Sequence, residues 1–474
     1  MLLINRYLGM YGAAIALCFS ITMAVYPGFM SYDSLHALEQ ARTGITSADW
    51  PPFVSYVWYP LDLIWPGPTL MHLVQNGLLL CSTAYIISQV TDNVYVRAIV
   101  LMAFTAISPI LGPMLVVWKD IPVASTFCCA GALMMAAQLA QRRRLRATAL
   151  ILAPLLIFAG MAYRFNASSA AVPLLWWWSR LVFTARTSWA DRYARPAVLS
   201  LGTLAILFLG VLMLSWYRLP DLSRLKPNAI FDTVMLYDLV GITKYSNETV
   251  MHLDRDPDGK EFSRDDVASI YTPQHGLITL GKLPAFATRT YTPDKIKEDW
   301  RHAVQRYPGA YLRHRLAVFR ELIGATSKPV FYPTHYGVDQ NNLGITFVPS
   351  ILTTNVLNYV LSSSKTLVGR PFLYYLIAFL SVLYSYAKNI NTKHITLILY
   401  MSGILYLIPQ FILNPASDSR YNFWAVVASL LTIILGTSGL PKDRWRQADF
   451  GELSAIRPKS GGQVADAVPS AQFH

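Results

Sequence analysis

Residues 7–26 read YLGMYGAAIALCFSITMAVY and residues 31–34 read Ser31-Tyr32-Asp33-Ser34. The first stretch carries no charged side chain over 20 positions. A helix of about 20 apolar residues crosses the hydrocarbon core of a bilayer. Asp33 therefore falls at or just beyond the exit end of a first membrane helix. An acid there touches water and a lipid-borne molecule at once. The stretch also resembles a secretory signal, but it is long and lacks a small-x-small cleavage site, so it reads as a retained anchor.

Composition extends this reading to the whole chain. Of the 474 residues, 54% are hydrophobic and 14% charged, against about a quarter charged in soluble proteins. The apolar residues gather in spans, which points to a polytopic membrane protein. The net charge is +13, and the basic residues sit next to spans. That is the bias of cytoplasmic loops toward Lys and Arg, rather than a nucleic-acid surface. It also suits acidic lipid headgroups and phosphates. The four cysteines, Cys18, Cys81, Cys128 and Cys129, all fall inside spans and show neither a disulfide framework nor metal-ligand spacing.

Ten spans are expected, near 7–26, 70–89, 98–117, 121–140, 147–163, 167–178, 197–216, 371–387, 394–413 and 421–437. Arg142, Arg143, Arg144 and Arg146 share one connection, and Arg180, Arg186, Arg192 and Arg195 another. Lys388 and Lys393 flank a third, and Lys442, Arg444 and Arg446 follow the last span. Cytoplasmic N- and C-termini place all four groups inside. The fold class is then mostly α, a transmembrane helical bundle with a small outer soluble domain. Its parts are an N-terminal transmembrane module, 1–216, with an outer loop, 27–69; a domain, 217–370, on the outer face; C-terminal transmembrane helices, 371–440; and a disordered cytoplasmic tail, 441–474. The polar stretch 347–369 reads in part as an amphipathic helix on the outer interface.

Charge at one depth marks the candidate site. Asp33, Lys119, Asp120, Arg164 and Arg420 all fall at outer ends of different spans. Taken singly, each also reads as an ordinary helix-end charge that snorkels to the interface. As a set they line one polar cavity, since charge at a membrane edge is costly and points to function. The first outer loop adds Asp49, Trp50, Trp58, Trp65 and several prolines, which also suit simple interfacial anchoring.

These residues carry a resemblance. Asp33 after the first span, the Trp- and Pro-rich first loop, Trp118-Lys119-Asp120, Arg164-Phe165-Asn166-Ala167 and Asp418-Ser419-Arg420-Tyr421 together resemble the GT-C class of membrane glycosyltransferases. The likeness is nearest to bacterial serotype-converting, O-antigen-modifying glucosyltransferases. The strings Leu236 to Ile242, which include Asp238, and Pro308 to Arg315 are similar to that branch. The sequence departs from the class pattern at Ser34, where paired acids are common, and at Trp50, where a His often precedes two prolines. A second acid then comes from elsewhere, Asp49 being one source, or is not needed, and a divalent metal is left open.

The resemblance implies a sugar donor carried on polyprenyl phosphate and an envelope glycan such as the O-antigen of lipopolysaccharide as acceptor. Transfer would occur on the periplasmic face of the bacterial inner membrane. It implies catalytic roles for Asp33, as general base, and Asp120, the latter orienting Lys119 or positioning acceptor hydroxyls. Lys119, Arg164 and Arg420 would bind the donor phosphate. Asp49, Trp50, Asp238, Arg313, Arg315, Asp418 and Tyr421 would contact substrate. His314, between two arginines on a helical-looking run from Trp300 to Leu322, reads as a surface or packing residue. Besides membrane lipids, no other partner is implied, and no nucleic acid. The alternative is a transporter or flippase of lipid-linked sugar. Internal repeats and interrupted helices, common in transporters, are not evident in the sequence. A scaffold in envelope assembly would leave the charges at several span ends unaccounted for.

Overall fold

The computed structural model describes residues 2–45, 51–183, 188, 190–216, 229–251, 263–283 and 291–441. Asp49, Trp50, Arg186 and the tail from 442 onward lie outside the described residues. The described residues form α-helices joined by turns and short 3-10 segments, with isolated β-bridges but no β-strand among them.

Helices α1 (Leu2–Ala24), α4 (Thr69–Val90), α7 (Asp120–Leu139), α8 (Arg143–Tyr163), α9 (Ser168–Val182) and α10 (Arg195–Trp216) build the first part of a bundle. Helices α17 (Pro371–Ala387), α18 (Lys393–Leu413) and α19 (Phe423–Ser438) complete it. Six segments are long and apolar enough to cross a membrane: α4, α7, α8, residues 190–214, α18 and residues 419–438. Gly9–Ala24 and α17 are shorter apolar helices. The chain is thus a multi-pass helical bundle. Helices α7 and α19 are its centre, since most of their surface is covered by protein, whereas α10 is largely uncovered and faces outward.

The expected continuous span at 98–117 is broken. Helix α5 (Val94–Ala106) and helix α6 (Ser108–Met114) meet at a 71° bend. The cause is local. Ile107 is extended, at ψ 125, and Pro109 stands in the first turn of α6, where a missing N–H costs nothing but the ring forbids continuation of the preceding helix. Counting the bent pair gives a seventh crossing.

Adjacent helices run in alternate directions, which sorts the loops by end. Arg146 Nη2 donates to Leu181 O at 2.8 Å. Thr392 Oγ1 donates to Leu435 O at 2.6 Å. The described Arg- and Lys-rich connections therefore share one end of the bundle. The segments carrying Asp33, Lys119, Arg164 and Arg420 share the other.

That second end also carries a separate small core. Helices α11 (Ala229–Ser246), α12 (Arg264–Ile270), α13 (Gly276–Leu280), α14 (Pro293–Arg306) and α15 (Pro308–Leu322) enclose Tyr237, Val240, Ile242, Val267, Ile296 and Val318. Ser263 and Asp266 close a capping box on α12, a device contributing about 1 kcal/mol. The helical run expected from Trp300 to Leu322 is two helices. Pro308 ends α14 by removing a backbone donor and opens α15 at its first turn. In the stretch 347–369, helix α16 (Ile351–Ser364) starts at a Ser350–Thr353 capping box and packs on α6, with Ile351, Leu352, Tyr359 and Leu361 uncovered.

Candidate functional site

Asp33 is placed by backbone pairing. Residues 29–30 are extended and bonded on both edges. Phe29 N donates to Leu115 O (3.2 Å), and Val117 N donates to Phe29 O (3.0 Å). On the other edge Met30 N donates to Gly337 O (2.8 Å), and Asp339 N donates to Met30 O (3.0 Å). Gly28, at φ +125, permits the turn into this segment. Trp118 Nε1 then donates to Ser31 Oγ (2.9 Å), and Ser34 Oγ donates to Val117 O (2.6 Å). Asp33 lies in the first turn of α2 (Tyr32–Thr43), where the helix dipole favours negative charge.

The chain is non-helical over 115–119 inside an apolar bundle, so the carbonyls there and at the end of α6 need donors. Helix α4 supplies them. Asn76 Nδ2 donates to Met114 O (2.9 Å) and Gln75 Nε2 to Val116 O (2.8 Å), while His72 Nδ1 meets Thr22 Oγ1 at 2.9 Å. This polar strip fixes where Lys119 emerges. The sequence reading did not single it out. Its signal was three polar residues within five positions of an apolar span, His72, Gln75 and Asn76, all of them buried.

Four segments meet at the resulting corner. Arg420 Nη1 donates to Asp33 Oδ2 at 2.6 Å, and Arg420 Nε stands 3.0 Å from Asp418 Oδ2. The Arg420 guanidinium lies 4.9 Å from the Trp118 ring centre and 5.0 Å from that of Tyr421. Tyr421 also carries Arg164, at 4.5 Å. Arg164 forms an ion pair with Asp120, and its Nε donates to Asn166 Oδ1 (2.9 Å). The Asp33 side chain keeps 23% of its surface and Arg420 11%, whereas Asp120 keeps none.

The charges set one another. Burial alone would raise the Asp33 carboxyl, but Arg420, then Lys119 and Arg164, outweigh it and hold it below the usual carboxylate range. Lys119, half-buried, is pushed down to about 7. Burial is the main cause, and repulsion from Arg164 and Arg420 adds to it against the pull of Asp33.

The loop that carries Asp418 and Arg420 is held from the second core. Gly276 N donates to Pro415 O (2.6 Å), and Ser417 N to Gln274 O (2.8 Å). Ser419 Oγ donates to Tyr332 O (2.6 Å), and Asn422 Nδ2 to Leu322 O (2.8 Å). His275, bridged to Ala416 through the backbone, sits at the edge of this corner. Burial lowers its imidazole, Arg420 lowers it further and Asp33 opposes them. It was not foreseen, because it arrives only through the long-range pairing.

The structure thus brings together Asp33, Lys119, Asp120, Arg164, Asp418, Arg420 and Tyr421, with the role of Asp120 revised. Asp120 engages Arg164, not Lys119. With no exposed surface it cannot touch an acceptor, so it positions Arg164. Asp238 and Arg315 do not join the corner. They form a closed knot in the second core, in which Asp238 Oδ2 accepts from Arg315 Nη2 (2.7 Å) and from Trp300 Nε1 (2.8 Å). His314 is no surface residue: it is fully buried, with Nε2 at 3.1 Å from Asp238 Oδ1. Arg315, also buried, donates from Nη1 to Asn414 O (3.0 Å) and so acts on the site loop rather than on a substrate. Arg313 is exposed on α15.

Among the described residues no group of three or more His, Cys, Asp or Glu side chains could hold a metal ion. No family model, no curated protein and no solved structure matches the chain.

Proposed function

We propose that the protein is a GT-C-type glycosyltransferase that moves a sugar from a polyprenyl-phosphate donor to an envelope glycan. Glucose and the O-antigen of lipopolysaccharide are the sugar and acceptor to which the resemblance points. The proposal includes ten spans, cytoplasmic termini and a site on the periplasmic face of a bacterial inner membrane. The observation that carries it is the Asp33–Arg420 pair, flanked by Lys119 and Arg164, at one end of an apolar bundle.

In this reading Asp33 takes the proton of the acceptor hydroxyl as its oxygen attacks the anomeric carbon. The bond from that carbon to the lipid phosphate breaks, and the phosphate leaves with the electron pair. Arg420, Lys119 and Arg164 meet its charge in a poorly hydrated corner, where such preorganised donors contribute about 3–4 kcal/mol each. Arg420 serves twice. While it holds Asp33, the carboxylate is a weak base. When the donor phosphate draws Arg420 toward itself, Asp33 regains basicity at the moment it is needed. Asp418 and the Trp118 and Tyr421 rings keep the guanidinium from swinging away.

The test is transfer from polyprenyl-phosphate glucose to envelope polysaccharide by the purified chain in nanodiscs. Asp33→Asn, which keeps a hydrogen-bond acceptor for Arg420, should abolish nearly all turnover while donor binding persists. Full activity in that variant would remove Asp33 as the base. One observation favours the flippase reading: the bend between α5 and α6 is an interrupted helix of the sort transporters use. Donor scrambling between leaflets of proteoliposomes, without transfer, would decide for it.

A further inference from the structure

Next to the Asp33–Arg420 corner is a cavity of about 620 Å³ whose wall is mostly residues 328–336 of one loop. That volume is in the range of sites for small molecules. Two of its rings are open: Tyr332 keeps 47% of its surface and Tyr336 54%. Phe331 lies against Tyr332, at 4.3 Å between ring centres. Polar groups stand around these rings: the Gln274 amide, the Lys328 ammonium and the His335 imidazole, whose Nε2 is 3.2 Å from Asp339 Oδ1.

The loop is held in place. Tyr332 sits at φ +43, a left-handed conformation that costs a bulky residue on the order of 1–3 kcal/mol and persists only where neighbours enforce it. Here they do. The Tyr332 carbonyl accepts from Ser419 Oγ (2.6 Å), next to Arg420. Thr334 Oγ1 donates to Gly112 O (2.8 Å). Gly337 and Asp339 pair with Met30, three residues before Asp33. One loop therefore lines the cavity and is bonded to both chain segments that supply the Asp33–Arg420 pair.

Flat rings set among an amide, an imidazole and an ammonium match the two kinds of surface on a pyranose. Its C–H face packs on an aromatic ring, and its hydroxyls bond to the polar groups. A prenyl chain would make no use of the Gln274 amide or the Lys328 ammonium. We infer that this cavity is the acceptor subsite, binding glycan residues on Tyr332 and Tyr336 so that the reacting hydroxyl reaches Asp33. The inference rests on the transferase reading.

The test uses the full chain in nanodiscs without donor, probed with the host bacterium's own envelope polysaccharide after mild-acid release from lipid. Saturation-transfer NMR should show contact with sugar protons. Tyr332→Ala and Tyr336→Ala should each weaken glycan binding about tenfold, as expected for loss of one stacking ring. Tyr332→Phe should retain it, and polyprenyl-phosphate binding should be unchanged in all three, which also shows that they fold. Tyrosine-dependent glycan binding without any transfer would confirm the subsite and sink the transferase reading. Transfer with an unchanged acceptor KM in both alanine variants would overturn the subsite and leave the transferase standing. Absence of glycan binding by the parent chain, or loss of polyprenyl-phosphate binding in the alanine variants, would overturn the subsite as well.

Discussion

Two regions of this protein are built from nearly the same side chains and do different things with them. At the bundle end, Asp33 pairs with Arg420 beside Trp118 and Tyr421. In the second core, Asp238 pairs with Arg315 beside Trp300 and His314. The first aspartate is partly open and meets one arginine shared with Asp418. The second is closed, with Arg315, Trp300 and His314 all directed at it. Burial keeps the His314 imidazole below its usual range, and its Nδ1 lies 3.0 Å from the Tyr271 hydroxyl. An aspartate buried against an arginine, an indole N–H and an imidazole, with no exposed surface, cannot take a proton from a substrate. An aspartate with one engaged oxygen and an open side can. On the proposed function, the contrast separates a chemical site from a structural knot of similar composition.

Substitution should split the two regions by what is lost. Asp33→Asn should lower turnover about 10⁴-fold, the upper range for removal of a general base, or about 5 kcal/mol of barrier, with thermal stability in nanodiscs unchanged. Arg315→Met should do the reverse in kind. It leaves Asp238 buried without its cation, which costs about 3–5 kcal/mol of stability, read as a lower midpoint of heat-induced aggregation. A stable Arg315→Met protein would dissolve the contrast.

A milder probe is Gly241→Ala. A Cβ at Gly241 would overlap the His314 ring. Overpacking of this kind costs about 1–3 kcal/mol. The expected result is a smaller loss of stability than for Arg315→Met, measured in the same thermal assay, with donor binding retained. An unaffected midpoint would show that the His314 ring shifts freely and that the knot is looser than its hydrogen bonds suggest.

The legible part of this molecule was whatever local pattern controls. Apolar runs marked the helices, and charges at run ends marked Asp33, Lys119, Arg164 and Arg420, because a charge beside a membrane span is costly wherever it stands. Partners were less legible. Asp120 follows Lys119 in sequence, but neighbouring positions on a helix do not face each other, and Arg164, 44 residues on, reaches it instead. Pro308 and Pro109 were stop signals present in the chain and underweighted. Asp238 and Arg315 looked like site residues because residue type says nothing about closure. His275 had no local signal at all, since only the pairing of its backbone with Ala416 brings it near Arg420.

The smallest expected effect is the most specific to the open corner. Lys119 is held to about 7 by burial and by two neighbouring arginines. If its charge receives the leaving phosphate, the active form of the free protein is the protonated one. That form predominates below pH 7 and is lost as pH rises through 7. The value of kcat/KM, which reports the free enzyme, should therefore fall on the alkaline side with a midpoint near 7. Lys119→Arg keeps its charge to far higher pH, since a guanidinium ionises above about 12. It should move the falling limb up by more than about one pH unit. The cost is some loss of rate at the optimum, because a planar fork replaces a point charge. No residue of the Asp238 knot should shift that limb, because none of them faces the leaving group. A limb that stays at 7 in Lys119→Arg would assign it to a group other than Lys119.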